Sequence, residues 1–116
     1  MSALLVDKKA LLENLANDPA LLKEVIGIFL TDSPAQLAAI RAAVAGDNPS
    51  EVMKTAHSLK GSVGVFGAVS AVAAAQKLES MGRDRKNEKF GDAFAALERE
   101  IALVTSALQE IANEAA

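Results

Sequence analysis

His57 is the only imidazole in the chain, and it stands in the segment Ala56-His57-Ser58-Leu59-Lys60-Gly61-Ser62-Val63-Gly64. Projected on a helix at about 100° per residue, Val52, Ala56, Leu59, Val63 and Phe66 form one apolar stripe. His57 falls about 140° from Val52 in the same projection and points toward solvent. Lys60 and Gly61 follow it at i+3 and i+4, Gly64 at i+7, and Met53 and Lys54 lie one turn before it. An exposed imidazole is a nucleophile, and a lysine one turn on can hold an anion placed on the ring. The two glycines leave bare backbone beside the ring, so another macromolecule can come close. Each mid-helix glycine costs ~1 kcal/mol relative to alanine, a cost a chain with 24 alanines could have avoided. From Val52 through Lys77 there is no Asp or Glu, while Lys54, Lys60 and Lys77 are present. That segment suits a negatively charged group delivered by an acidic partner site.

Plainer readings of the same residues stand beside this one. A lone histidine or an exposed lysine is commonly just solvated. Gly61, Gly64 and Gly67 could serve a close contact between helices, although the first two share the histidine's face rather than the core stripe. A phosphate-binding loop fails, because no strand precedes the glycines and no Gly-Lys-Ser/Thr follows.

The elements that must carry these residues are helices. Asp7 caps a short first helix with Leu11, Leu12 and Leu15. Asp18 and Pro19 start a second, in which Leu22, Ile26, Phe29, Ser33, Leu37, Ile40 and Val44 keep one phase across Pro34. The spacing predicts a kinked or briefly broken helix to about Ala45. After Gly46-Asp47, the run Asn48-Pro49-Ser50-Glu51 reads as a cap, a first-turn proline and a capping-box acid. The helix it opens runs to about Phe66, with Gly67 as its stop. A fourth spans about Ala68 to Met81 and is stopped by Gly82. The polar run Arg83-Asp84-Arg85-Lys86-Asn87 reads as a loop into which that helix could fray. Phe90, Phe94, Leu97, Ile101, Val104, Leu108 and Ile111 then form the seam of a last helix. The predicted fold is all-α, an up-down four-helix bundle with a short extra N-terminal helix, forming one domain over residues 1–116.

Composition agrees and removes several classes of function. The chain has 116 residues, no cysteine, no tryptophan, no tyrosine and only 3% aromatic residues. Disulfides, thiolate metal sites and cysteine nucleophiles are therefore absent, and one histidine makes no multi-histidine metal site. A net charge of −3 and a pI near 5.1 argue against non-specific nucleic-acid binding. The uncharged stretch Gly61–Ala75 is shorter than the roughly 20 apolar residues of a membrane-spanning helix. The N-terminal MSALLVDKKALL lacks the basic region, apolar run and cleavage site of a signal peptide. A soluble, cytoplasmic protein is expected.

The segment from Ala56 to Ala68 resembles the signature of histidine-containing phosphotransfer (HPt) domains: an alanine-histidine pair, leucine, lysine-glycine, small residues, then glycine-alanine after the helix. Asp18-Pro19-Ala20-Leu21-Leu22 to Phe29-Leu30, with Asp32-Ser33-Pro34, is similar to that family's first long helical region. Gly46-Asp47 resembles the turn before its histidine helix, and Leu78-Glu79 a recurring pair in the helix after it. The resemblance implies a phosphorelay intermediate of a two-component system. His57 would take a phosphoryl group from the aspartyl-phosphate of a response-regulator receiver domain and pass it to another receiver. Lys60 would stabilise the phosphoryl oxygens, Gly61 and Gly64 would admit the receiver, and Met53 and Lys54 would add docking surface. Glu79 has two readings: a carboxylate orienting the ring through its second nitrogen, or a surface glutamate with no role. The receiver supplies the acidic pocket and Mg²⁺, so no metal or cofactor of the chain's own is implied.

By that resemblance the chain is a phosphocarrier rather than an enzyme, with no nucleotide-binding pattern to make it an autokinase. Its expected partners are receiver domains and a hybrid sensor histidine kinase, and it is expected to be a monomer. Two other readings remain. One is the phosphoacceptor domain of a chemotaxis-type kinase, which would be followed by further domains where this sequence ends at Ala116. The other is a helical adaptor that docks receivers without transfer, against which the intact His57, Lys60 and Gly61 count. Met1 fits a free-standing protein, and an excised piece of a hybrid kinase could start the same way.

Overall fold

The computed structural model describes residues 6–114 of the chain; residues 1–5 and 115–116, the ends of the expected domain and the start of the N-terminal segment read above, lie outside them. Among the described residues the elements are α1 (Lys8–Asn14), α2 (Pro19–Ala45), α3 (Pro49–Gly64), α4 (Val69–Arg83) and α5 (Phe90–Glu114), with one 3-10 turn at Asn87–Lys89. Three helix starts are fixed by side chains, as their sequences anticipate. Asp7 accepts from the Ala10 amide, Asp18 from the Ala20 and Leu21 amides, and Asn48 from the Glu51 amide. Each such cap is worth ~1 kcal/mol.

The break allowed for at Pro34 does not occur. α2 runs unbroken through it, because a proline deletes one backbone hydrogen bond while Leu22, Ile26, Phe29, Ser33 and Ile40 stay in phase and buried on either side. α3 ends at Gly64, slightly before the expected Phe66. Phe66 and Gly67 close the turn through bonds to the Val63 and Gly64 carbonyls, and Gly67 takes φ 67°. Phe66 still reaches the core and meets the Phe29 ring edge-on at 5.3 Å.

Gly82 is the clearest correction. It does not stop α4, which continues to Arg83 and is capped by Asp84, with Arg85 in the left-handed region at φ 58°. Gly82 is buried inside the helix. A Cβ there would lie 2.7 Å from the Met53 nitrogen and 2.8 Å from the Pro49 carbonyl oxygen. Its absence lets α4 press against the first turns of α3.

All seven seam residues of α5 are buried. α2 packs on α3, α3 on α4 and α4 on α5, and α5 closes the ring against α2. Short connections make successive helices antiparallel, so the four long helices form an up-down bundle. α1 lies on α2 and is tied to the far end of α5 by Lys8 and Glu114 at 3.0 Å. No described helix is long and apolar enough to cross a membrane.

Candidate functional site

His57 sits in the middle of α3, held in place by Val52, Ala56, Leu59 and Val63, all fully buried on the opposite side of the helix. Its side chain is 68% exposed. The edge of α3 beside it faces α4, and there Nδ1 of the ring lies 3.0 Å from Oε2 of Glu79. Glu79 is only 7% exposed, so it is not a surface glutamate. Lys60 Nζ approaches its other oxygen, Oε1, at 2.6 Å, and Arg83 Nη2 stands 3.7 Å from Oε2. Lys60 also donates to Oε1 of Gln76 at 2.9 Å, while Nε2 of Gln76 donates to Ser80 Oγ at 3.1 Å.

The carboxyl of Glu79 is held below its ordinary glutamate value. The Lys60 hydrogen bond is the main cause, working against the upward push of burial and helped by the His57 hydrogen bond and the charges of both partners. An ionised carboxylate only accepts hydrogen bonds. In the neutral imidazole the proton therefore sits on Nδ1 and is donated to Glu79, which leaves the lone pair on Nε2, at the outer side of an exposed ring.

Gly61 and Gly64 are both exposed. A Cβ on Gly61 would meet nothing within 4 Å, and one on Gly64 only Val72 Cγ2 at 3.9 Å. Neither serves a close helix contact; Gly82 is where that happens. Lys54 is exposed and 3.5 Å from Glu51, and Met53 is half-buried with its backbone against Gly82. Lys77 is exposed, but at two residues from Glu79 it lies about 160° round α4 from it. Beyond the glycines, α2 and α3 enclose a depression of about 220 Å³ lined by Val25, Ile28, Phe29, Val65 and Phe66 among others, with Ile28 and Val65 largely exposed. Among the described residues no group of three or more His, Cys, Asp and Glu side chains converges as a metal site would require.

Sequence reasoning passed over Gln76 and Arg83. Both carry a signal: they stand three residues before and four residues after Glu79, the spacings that share a helix face. In the sequence Arg83 reads as part of the polar loop, because Gly82 has the form of a stop.

The profile of the Hpt domain matches residues 24–113, most of the chain, which therefore belongs to the Hpt domain family. It is thereby a phosphotransfer domain of two-component signalling, a phosphocarrier rather than a catalytic enzyme, of a kind that interacts with receiver domains. Its fold is similar to that of histidine-containing phosphotransfer protein B (HptB) from Pseudomonas aeruginosa PAO1, with a TM-score of 0.88 and 24% sequence identity over 97% of this chain and 98% of that one. No curated protein matches the chain.

Proposed function

We propose that His57 is the phosphoacceptor of a relay: it takes a phosphoryl group from a receiver's aspartyl-phosphate through Nε2 and gives it to a second receiver. The observation that carries this is the pairing of an exposed ring with a buried, ionised Glu79 on its Nδ1. In the transfer the P–O bond to the receiver's aspartate breaks and an N–P bond forms at Nε2, while the aspartate leaves as a carboxylate. No proton moves. The ring keeps its Nδ1 proton, becomes positively charged as the bond forms, and that charge develops against Glu79. Stabilising charge where it appears is the main way a site lowers such a barrier.

Lys60 neutralises the phosphoryl oxygens, and Gly61 and Gly64 give the receiver room to bring its aspartate in line. The Mg²⁺ belongs to the receiver. Met53, Lys54 and the exposed apolar edge at Ile28 and Val65 are the surface it rests on. The protein acts in the cytoplasm, as a monomer, with a hybrid sensor kinase as one source of phosphoryl groups.

The test mixes a phosphorylated receiver, Mg²⁺ and either wild type or His57→Gln, then treats the product with acid. Acid-labile label on wild type alone is the expected result. No label on a folded wild type removes the reading in favour of an adaptor, and equal labelling of the variant removes it by placing the phosphoryl group on a residue other than His57. Label that arrives only from ATP and a kinase domain favours the chemotaxis-type acceptor instead.

A further inference from the structure

We propose that Arg83 is a positioning residue for the transfer: it takes over as counter-ion of Glu79 when Lys60 turns from that carboxylate to the phosphoryl group. The proposal rests on His57 being the acceptor and adds a step at the same site.

In the resting protein one ammonium group is tied in two directions inward, to Oε1 of Glu79 at 2.6 Å and to Gln76 at 2.9 Å. The Lys60 side chain is only 24% exposed. The phosphoryl group arrives on Nε2, the ring atom on the far side from the Nδ1 that faces Glu79. To reach the phosphoryl oxygens, Lys60 must give up Oε1. A carboxylate 7% exposed cannot lose its closest cation without cost, since a buried charge needs a partner.

Arg83 is the cation placed to fill the gap. It lies one turn along α4 from Glu79, with Nη2 3.7 Å from Oε2, the oxygen that faces His57. It therefore compensates the charge of the carboxylate as a whole rather than replacing Lys60 at Oε1. The distance is just beyond hydrogen-bond length, and the side chain is 54% exposed. Among the described residues it makes no side-chain hydrogen bond and no other ion pair, so closing that distance breaks nothing. A guanidinium keeps its charge throughout and can present two parallel donors to a carboxylate. The other nearby cations are committed or misplaced: Lys54 pairs with Glu51, and Lys77 lies on a different side of α4 from Glu79. With Arg83 closed onto Glu79, the carboxylate stays ionised and continues to hold the Nδ1 proton while Lys60 works on the far side of the ring.

Single-turnover transfer from a phosphorylated receiver tests this, with receiver binding measured in parallel. Arg83→Gln is expected to slow labelling of His57 by about five- to tenfold, with receiver affinity unchanged. Arg83→Lys, which keeps the charge at the same i+4 position, should stay within about twofold of wild type. In a Glu79→Gln background, Arg83→Gln should have no further effect, because the charge it serves is gone. If Arg83→Gln costs the same factor in that background, Arg83 acts on the receiver or the phosphoryl group and the proposal is overturned. A wild-type rate for Arg83→Gln, with His57 labelled normally, overturns it and leaves the acceptor role standing. Absence of label on wild type removes both.

Discussion

Glu79 shares one negative charge among Lys60, His57 and Arg83 from a position almost closed to water, and this has a consequence in acid. A carboxyl held below its ordinary value of 4.5 contributes stability above that pH and loses it as the pH falls through the lowered folded-state value. Thermal melts followed from neutral pH down to about pH 3 should therefore show wild type losing stability more steeply in the acid limb than Glu79→Gln. Parallel acid limbs would mean that the carboxylate is not held by its partners. His57, Lys60 and Gly61 were legible in the sequence because a helix repeats every 3.6 residues and the apolar stripe fixes which side is out. The burial of Glu79 was not, because it depends on how closely a second helix approaches.

That approach is set by Gly82, and glycines do two different things on the neighbouring helices. At Gly64, on the exposed side of α3, a side chain has room; at Gly82, inside α4, it would strike backbone. Gly64→Leu should fold with an unfolding midpoint at or above that of wild type, yet transfer phosphate at least about tenfold more slowly because the receiver is kept away from the ring. Gly82→Ala should instead lose about 1–3 kcal/mol, a fall of several degrees in the midpoint, by forcing α4 off α3. Unchanged transfer in the first variant would remove the docking role of the bare patch, and an unchanged midpoint in the second would remove the close contact. The helices themselves were readable from capping residues and periodicity. The role of Gly82 is not legible, because Met81-Gly82 followed by a polar run has the form of a helix end and only the position of α3 shows otherwise.

The buried residues form one cluster from Val6 and Leu11 through α2, α3 and α4 to Ile111. Connections outside the core join its parts as well. Asn87 reaches from the α4–α5 turn to Asp47 in the α2–α3 turn, bonding its carbonyl at 3.2 Å and its side chain at 3.0 Å. We therefore expect a single cooperative unfolding transition with matching calorimetric and van't Hoff enthalpies, and a monomer in sedimentation. Two separate transitions would divide the chain into more than one domain. The bundle could be anticipated from seven seam positions in α5, since helices with apolar stripes and short connections have few ways to pack.

Gly82 bears on the first turns of α3, whereas Gly61, Gly64 and Val65 lie at its other end. The close contact that seats the imidazole against its carboxylate and the glycine-bared end of the proposed docking surface are thus written in separate stretches of the gene. If receivers rest there, as proposed, a lineage can exchange one signalling acquaintance for another by rewriting the second stretch, and inherit the seating of the ring unchanged through the first.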